Sequence, residues 1–196
     1  VLTWDVPAGA WRVVVTYLTR NGGGNTNYIN LLQAESVDLL IDEVYEKHYA
    51  HYAPYFGNTI LGFFSDEPAV GNCPGFSFDE RVGHKMMPLP WAPEMPGLLG
   101  EDFREKAPFL WYDGGDRRNA EVRLAYMDAC TRLISKNFSD RLGKWCEAHG
   151  VMYIGHVIED NNQHMRLGSS CGHFFRAMEG LDAGGIDVVD NLMPEQ

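Results

Sequence analysis

Long apolar runs, a surplus of basic residues and a cysteine framework are all missing from this 196-residue chain, and each absence removes a class of protein. No stretch approaches the roughly 18 to 20 consecutive apolar residues that span a bilayer. The start, Val1-Leu2-Thr3-Trp4-Asp5, has neither the basic n-region nor the apolar h-region of a secretory leader. Lys and Arg total 16 against 27 Asp and Glu, for a net charge of −11 and an isoelectric point near 5.0. So acidic a surface repels phosphate backbones and anionic lipid, so neither nucleic acid nor membrane is an expected partner. The four cysteines, Cys73, Cys130, Cys146 and Cys171, form no C-x-x-C pair and are too sparse for a disulfide scaffold, which leaves the compartment undecided between the cytoplasm and a secreted or periplasmic location. Gly22-Gly23-Gly24 lacks the Lys-Ser/Thr or spaced glycines of a phosphate loop. What is present is a chain 45% hydrophobic and 12% aromatic, enough to build a real core.

Strand and helix patterns alternate. Trp11 to Leu18 is β-branched and aromatic and predicts a strand, assigned with residues 1–20 to the end of a preceding β segment. From Ala34 to Tyr52, Val37, Leu40, Ile41, Val44, His48 and Tyr52 recur at helical spacing, with Glu35 and Asp38 in the first turn, where the helix dipole favours acids. His48 and His51 read there as packing or solvated residues. Ile60-Leu61-Gly62-Phe63-Phe64 is short and unbroken, as suits a strand buried on both faces of a parallel sheet. Residues 69–118 hold most of the prolines and little periodicity beyond a short helix at 101–106, and predict a long irregular insertion of the lid or binding-loop kind. A long helix over 119–148, ended by Gly150, leads to a second buried strand, Val151 to Gly155. A helix over 173–180 and a strand over 186–189 follow. This alternation predicts the α/β class: parallel β/α units forming a partial TIM-type (β/α)8 barrel over residues 21–196, with the insertion at 69–118.

In such sheets reactive groups gather where the C-terminal ends of strands converge. Three predicted strands end in polar clusters: Ser65-Asp66-Glu67-Pro68, then His156 to Asn162, then Asp190-Asn191. Two carboxylates across a cleft are the equipment of glycoside hydrolysis, one protonating the leaving oxygen and the other activating water or attacking carbon, and Glu67 and Glu159 are the best pair. Proline at 68 biases Glu67 towards an extended conformation that aims it into a crevice, and Asp66 beside it raises its proton affinity by like-charge repulsion. A plain surface turn is the competing reading of Asp-Glu-Pro. His156 is expected to contact a sugar hydroxyl or orient a carboxylate, with Asp160, Asn161 and Asp190 as further substrate contacts. Helix capping competes for Asp160, Asn161 and Asn162. Phe76, Phe78, Trp91, Trp111 and Tyr112 give the insertion flat apolar rings suited to sugar faces, Trp91 and Trp111 being the assigned contacts, against the alternative of a satellite core. His156, Glu159 and His164 have the residue types of a metal hydrolase without the H-E-x-x-H spacing.

At Trp4 to Val13, at the helix starting near Glu35-Ser36-Val37, at Phe63-Phe64-Ser65-Asp66-Glu67-Pro68, and at Trp145-Cys146-Glu147-Ala148-His149-Gly150 leading into Gly155-His156 and Glu159-Asp160, the chain resembles the bacterial glycoside hydrolases of family 106, the α-L-rhamnosidases. The resemblance implies a (β/α)8 catalytic barrel, an inverting mechanism, Glu67 as general acid and Glu159 as the base that activates water. It also implies a calcium ion near the substrate, with no ligands that match residues here, and a polysaccharide or oligosaccharide as the carbohydrate partner. Other expectations are a catalytically inactive carbohydrate-binding fragment and, third, the metal-dependent hydrolase. A closed barrel typically needs about 250 residues, and the chain does not begin with Met. It is therefore expected to be an internal piece of a longer protein, with exposed sheet edges covered by the insertion or by a second copy in a homo-oligomer.

Overall fold

The computed structural model describes residues 3–19, 28–68, 70, 89–112, 114–157, 167 and 170–187. Its centre is a parallel sheet of three strands, β1 (Gly62–Ser65), β2 (Met152–Gly155) and β3 (Ala183–Gly184), in the order β1-β2-β3. Phe63 lies opposite Tyr153 and Ser65 opposite Gly155. Gly155, at φ +155°, is required by this pairing, because a Cβ there would stand 2.3 Å from the Ser65 carbonyl oxygen.

Two long helices cover one face of the sheet. The first, α1, has α turns over Ala34–Leu40, π turns over Ile41–Tyr45 and α turns over Glu46–Tyr52, and passes into a 3₁₀ turn, Ala53–Tyr55, at Pro54. Between β1 and β2 come α2 (Met95–Leu99), α3 (Phe103–Lys106), a 3₁₀ turn over Ala107–Leu110, and α4. The last has α turns over Arg118–Ile134, π turns over Ser135–Ser139 and α turns over Asp140–Ala148. A short helix, α5 (Phe174–Ala177), precedes β3.

Alternation along β1 sends Phe63 towards the helices, where its ring stacks on Tyr45 at 4.5 Å and meets Trp145 edge-on at 5.7 Å. Trp145 is tied to α1 by its indole N–H, which donates to Glu46 Oε1 at 2.7 Å. Burying four of the five π-turn residues of α4 is affordable because their polar groups are paired. Asn137 donates to the Leu32 carbonyl at 2.6 Å and Ser135 to Glu179 at 3.0 Å, while Ser139 donates to the Ala177 carbonyl at 2.5 Å. Gly143 lets the loop before β3 lie flat on α4, since a Cβ there would stand 2.1 Å from the Gly180 carbonyl oxygen.

The parallel α/β class is therefore present, and the expected helices at 34–52 and 119–148 are formed. Other elements differ. Residues 11–18 carry no β-ladder among the described residues, and Val13, Val15, Tyr17 and Leu18 are exposed, so the expected first strand is not formed here. A third strand sits at 183–184, where Ala183 and Gly184 pair with Ile154 and Gly155; of the strand expected over 186–189, residues 186 and 187 are in no ladder and residues 188 and 189 lie outside the described residues. The described part of the 69–118 insertion holds more helix than expected: α3 falls within the expected helix at 101–106, α2 is added before it, and both pack on α4, with Met95, Phe103 and Leu110 buried. The helix expected over 173–180 is reduced to α5, with Gly180 at φ +96° beyond it.

Two outcomes follow from this packing. Gly143→Ala forces a methyl group against backbone, and chemical denaturation should show a loss of about 1 to 3 kcal/mol; an unchanged midpoint would contradict the close approach. Burial pushes the Cys130 and Cys146 thiols up from 9.0 to about 12 and raises the Tyr45 and Tyr153 hydroxyls. The fold thus retains their protons more tightly than the unfolded chain does, so this stabilisation is complete below pH 9 and is lost as pH rises towards 12. Urea midpoints measured from pH 7 to 11 should fall above pH 9, and a flat profile would contradict the burial.

Candidate functional site

Beyond the last paired residues of β1 and β2, the ladder continues for one more bond, His156 N–H donating to the Ser65 carbonyl at 3.2 Å. That bond sets residue 156 beside residue 66. His156 Nε2 lies 3.2 Å from Asp66 Oδ1, the imidazole only 10% exposed and the carboxylate 74%. Such a pair is a fixed donor beside an open acceptor. Phe64, two residues before Asp66 on the same face, places its ring 5.7 Å from that of His156 at a tilt of 57°. The backbone on the far side of His156 is bare of side chains, Gly185 N–H donating to the Gly155 carbonyl at 2.9 Å.

Glu67 stands exposed next to this pair with φ at +42°, in the left-handed region. The sequence predicts an extended residue before proline, and the structure corrects that. Pro68 and Val70 are buried, so the chain must turn from the exposed carboxylates into the core within a residue or two, and Glu67 takes the turn. A non-glycine residue held there costs roughly 1 to 2 kcal/mol, and such strain persists where the surroundings over-determine it, commonly at functional sites.

Glu67, Asp66 and His156 are thus brought to one strand edge. Glu159, Asp160, Asn161 and Asp190 lie outside the described residues, as do Phe76, Phe78 and His164. The two tryptophans are packed: Trp91 is half-buried and stacks on Phe103 at 6.2 Å, its carbonyl accepting from Asn30 Nδ2 at 2.9 Å, and Trp111 is half-buried against the core. Tyr112 lies under the Arg12 guanidinium at 4.7 Å. These contacts match the satellite-core reading of the insertion. His48 and His51 donate to carbonyls one turn back in α1, at 2.7 and 2.8 Å, as packing or solvated residues do. Among the described residues no group of three His, Cys, Asp or Glu is placed to hold a metal ion, and no helix is long and apolar enough to cross a membrane.

Phe64 was not singled out by sequence reasoning, although the Phe63-Phe64 pair carried the signal: in a strand, one of two adjacent rings must face away from the helices. An open cleft of about 540 Å3 lies elsewhere, at the N-terminal end of β2, lined by Asp140, Lys144, Glu147, Met152 and Asp182. Lys144 and Asp140 pair with each other there at 2.6 Å. The C-terminal edge, with its strained acid and its imidazole–carboxylate contact, is the better chemical candidate. No family model, curated protein or solved structure matches the chain.

The strain at Glu67 has a direct test. Glu67→Gly relieves it, and urea unfolding should show a gain of about 0.5 to 1 kcal/mol after the entropy cost of glycine, with Glu67→Ala giving none. A glycine variant no more stable than the alanine variant would contradict the left-handed geometry.

Proposed function

We propose that this chain is part of the catalytic (β/α)8 barrel of a glycoside hydrolase, related to the family 106 α-L-rhamnosidases, acting on an oligosaccharide or polysaccharide. The observation that carries the proposal is Glu67, an exposed acid on strained backbone at the C-terminal end of a parallel strand, flanked by the Asp66–His156 contact. Glu67 is the general acid, delivering its proton to the glycosidic oxygen as the bond to the anomeric carbon breaks. Glu159, four residues past the end of β2, is the base that takes a proton from the attacking water, which inverts the anomeric carbon.

Two features of the sheet support a barrel. Helices cover the Phe63 face, whereas Phe64 and Met152 on the other face are 59% and 45% exposed. A parallel sheet is ordinarily covered on both faces. Among the described residues no fourth strand extends β1 or β3, and further strands on both edges would close the bare face into an interior. A second copy covering those edges is the alternative arrangement. A calcium ion, as in the related rhamnosidases, has no ligand set among the described residues, and no step here is routed through one.

The test is hydrolysis of a panel of aryl and disaccharide glycosides, α-L-rhamnosides included, by the wild type, Glu67→Gln and Glu159→Gln. Loss of a general acid should lower kcat by about 10²- to 10⁴-fold, more severely on disaccharides than on aryl glycosides, whose leaving groups need less protonation. Glu159→Gln should be equally damaging on both. Sugar binding without turnover by the wild type would contradict the proposal and leave a carbohydrate-binding module.

A further inference from the structure

We propose that His48 and His51, one turn apart near the end of α1, form a chelating site for a divalent transition metal of the Cu²⁺, Ni²⁺ and Zn²⁺ kind. The pair stands apart from the strand-end carboxylates: α1 passes through residues 53–61 into the N-terminal end of β1, whereas Asp66 and Glu67 follow its C-terminal end. The site is therefore independent of the glycoside hydrolase reading. Its geometry begins with the hydrogen bonds of the two rings. His48 Nδ1 lies 2.7 Å from the Val44 carbonyl oxygen, and His51 Nδ1 lies 2.8 Å from that of Lys47. A carbonyl oxygen can only accept, so each ring carries a proton on Nδ1, and the neutral ring leaves the Nε2 lone pair on its other edge. Among the described residues neither Nε2 has a hydrogen-bond partner, and both side chains are exposed. A backbone carbonyl on one ring nitrogen is the usual outer support of a histidine whose other nitrogen takes a metal, because it fixes tautomer and ring orientation together.

Spacing brings the two donors together. Residues three apart on a helix have Cβ atoms about 5 to 6 Å apart, and the turns over Glu46–Tyr52 are regular α turns. The Tyr52 ring lies 6.3 Å from that of His48 and 6.1 Å from that of His51, so both imidazoles gather around one side chain on one side of α1. The same i, i+3 step joins the Glu-x-x-His ligands of helical-bundle metal sites. Electrostatics favours a cation here. His51 is in the last turn before the 3₁₀ turn, where the helix dipole is negative, and the neighbouring Lys47 is paired with Glu43. Imidazole nitrogen sets the class, since it suits copper, nickel and zinc, whereas calcium and magnesium take oxygen ligands. No third His, Cys, Asp or Glu is placed to join the pair among the described residues. Water fills the remaining positions, which makes the site an open chelate and not a closed four-ligand zinc site.

Calorimetric titration of the wild-type chain with Cu²⁺, Ni²⁺ and Ca²⁺, with EPR spectroscopy of the Cu²⁺ adduct, tests this. Cu²⁺ should bind more tightly than Ni²⁺, with hyperfine coupling to two nitrogens, and Ca²⁺ should not compete. His48→Gln or His51→Gln alone should weaken the tightest Cu²⁺ site about 10²-fold, nearly as much as both together, because a lone imidazole has no chelate partner. In the His51→Gln background, Tyr52→His rebuilds a pair at i, i+4 and should restore binding. Lys47→His adds an imidazole next to His48, at a position that faces elsewhere, and should not. A metal-free Tm unchanged in the single Gln variants ties the loss to the ligands. Cu²⁺ affinity unchanged in either single variant, rescue by Lys47→His as strong as by Tyr52→His, displacement of Cu²⁺ by Ca²⁺, or a fall in metal-free Tm accompanying the lost affinity would overturn the site.

Discussion

The parallel pairing of β1 with β2 in a single register is the constraint on which the rest depends. Ser65 opposite Gly155 puts Asp66 opposite His156, residues separated by ninety positions of chain. A slip of one residue would turn His156 to the helix face or else Phe63 to solvent, because strand side chains alternate with a period of two. Gly155 enforces the register sterically, since no larger residue can sit against the Ser65 carbonyl. The loop closure implied by so long a crossover is costly, so the pairing needs strong support from the helices that fill it.

That support is chiefly aromatic, with the Arg141–Asp38 ion pair joining α4 to α1 beside it. Tyr45, Phe63 and Trp145 meet in stacked and edge-on contacts, with Tyr49, Phe56 and His149 around them. Each such pair contributes about 0.5 to 1.5 kcal/mol beyond the area it buries. The ion pairs Lys47–Glu43, Arg132–Asp128 and Lys144–Asp140 are on exposed helix surface at i, i+4 spacing and contribute far less each. Among the described residues the sheet is consequently anchored from one side, and the Phe64 ring on its other face is exposed.

Much of this was legible in the residues. The helical spacing from Val37 to Tyr52 and from Val122 to Trp145 marked the two long helices, and the short apolar runs at 60–64 and 151–155 marked β1 and β2, since period and length together separate buried strands from helices. The strand expected at 11–18 illustrates the limit: β-branched residues favour a strand only when a ladder partner exists, and among the described residues none does. The short helix expected at 101–106 is α3, whereas prolines concealed α2 and the 3₁₀ turn after α3, where Pro96 and Pro108 occupy first-turn positions that tolerate proline. At the site, Asp66, Glu67 and His156 were visible as strand-end polar residues. The left-handed turn at Glu67 was hidden because it is imposed by burial of Pro68 and Val70, a tertiary effect that overrides the local preference before proline.

The account stands on chemistry at the C-terminal edge of the sheet, and a crystal structure of the Glu67→Gln protein with a bound glycoside tests that most directly. The account predicts a sugar at the C-terminal end of β1, beside the Asp66–His156 contact and with its glycosidic oxygen facing residue 67. A sugar seated in the cleft between Gly150 and Gly180 at the opposite end of β2, with residues 66 and 67 untouched, would contradict it.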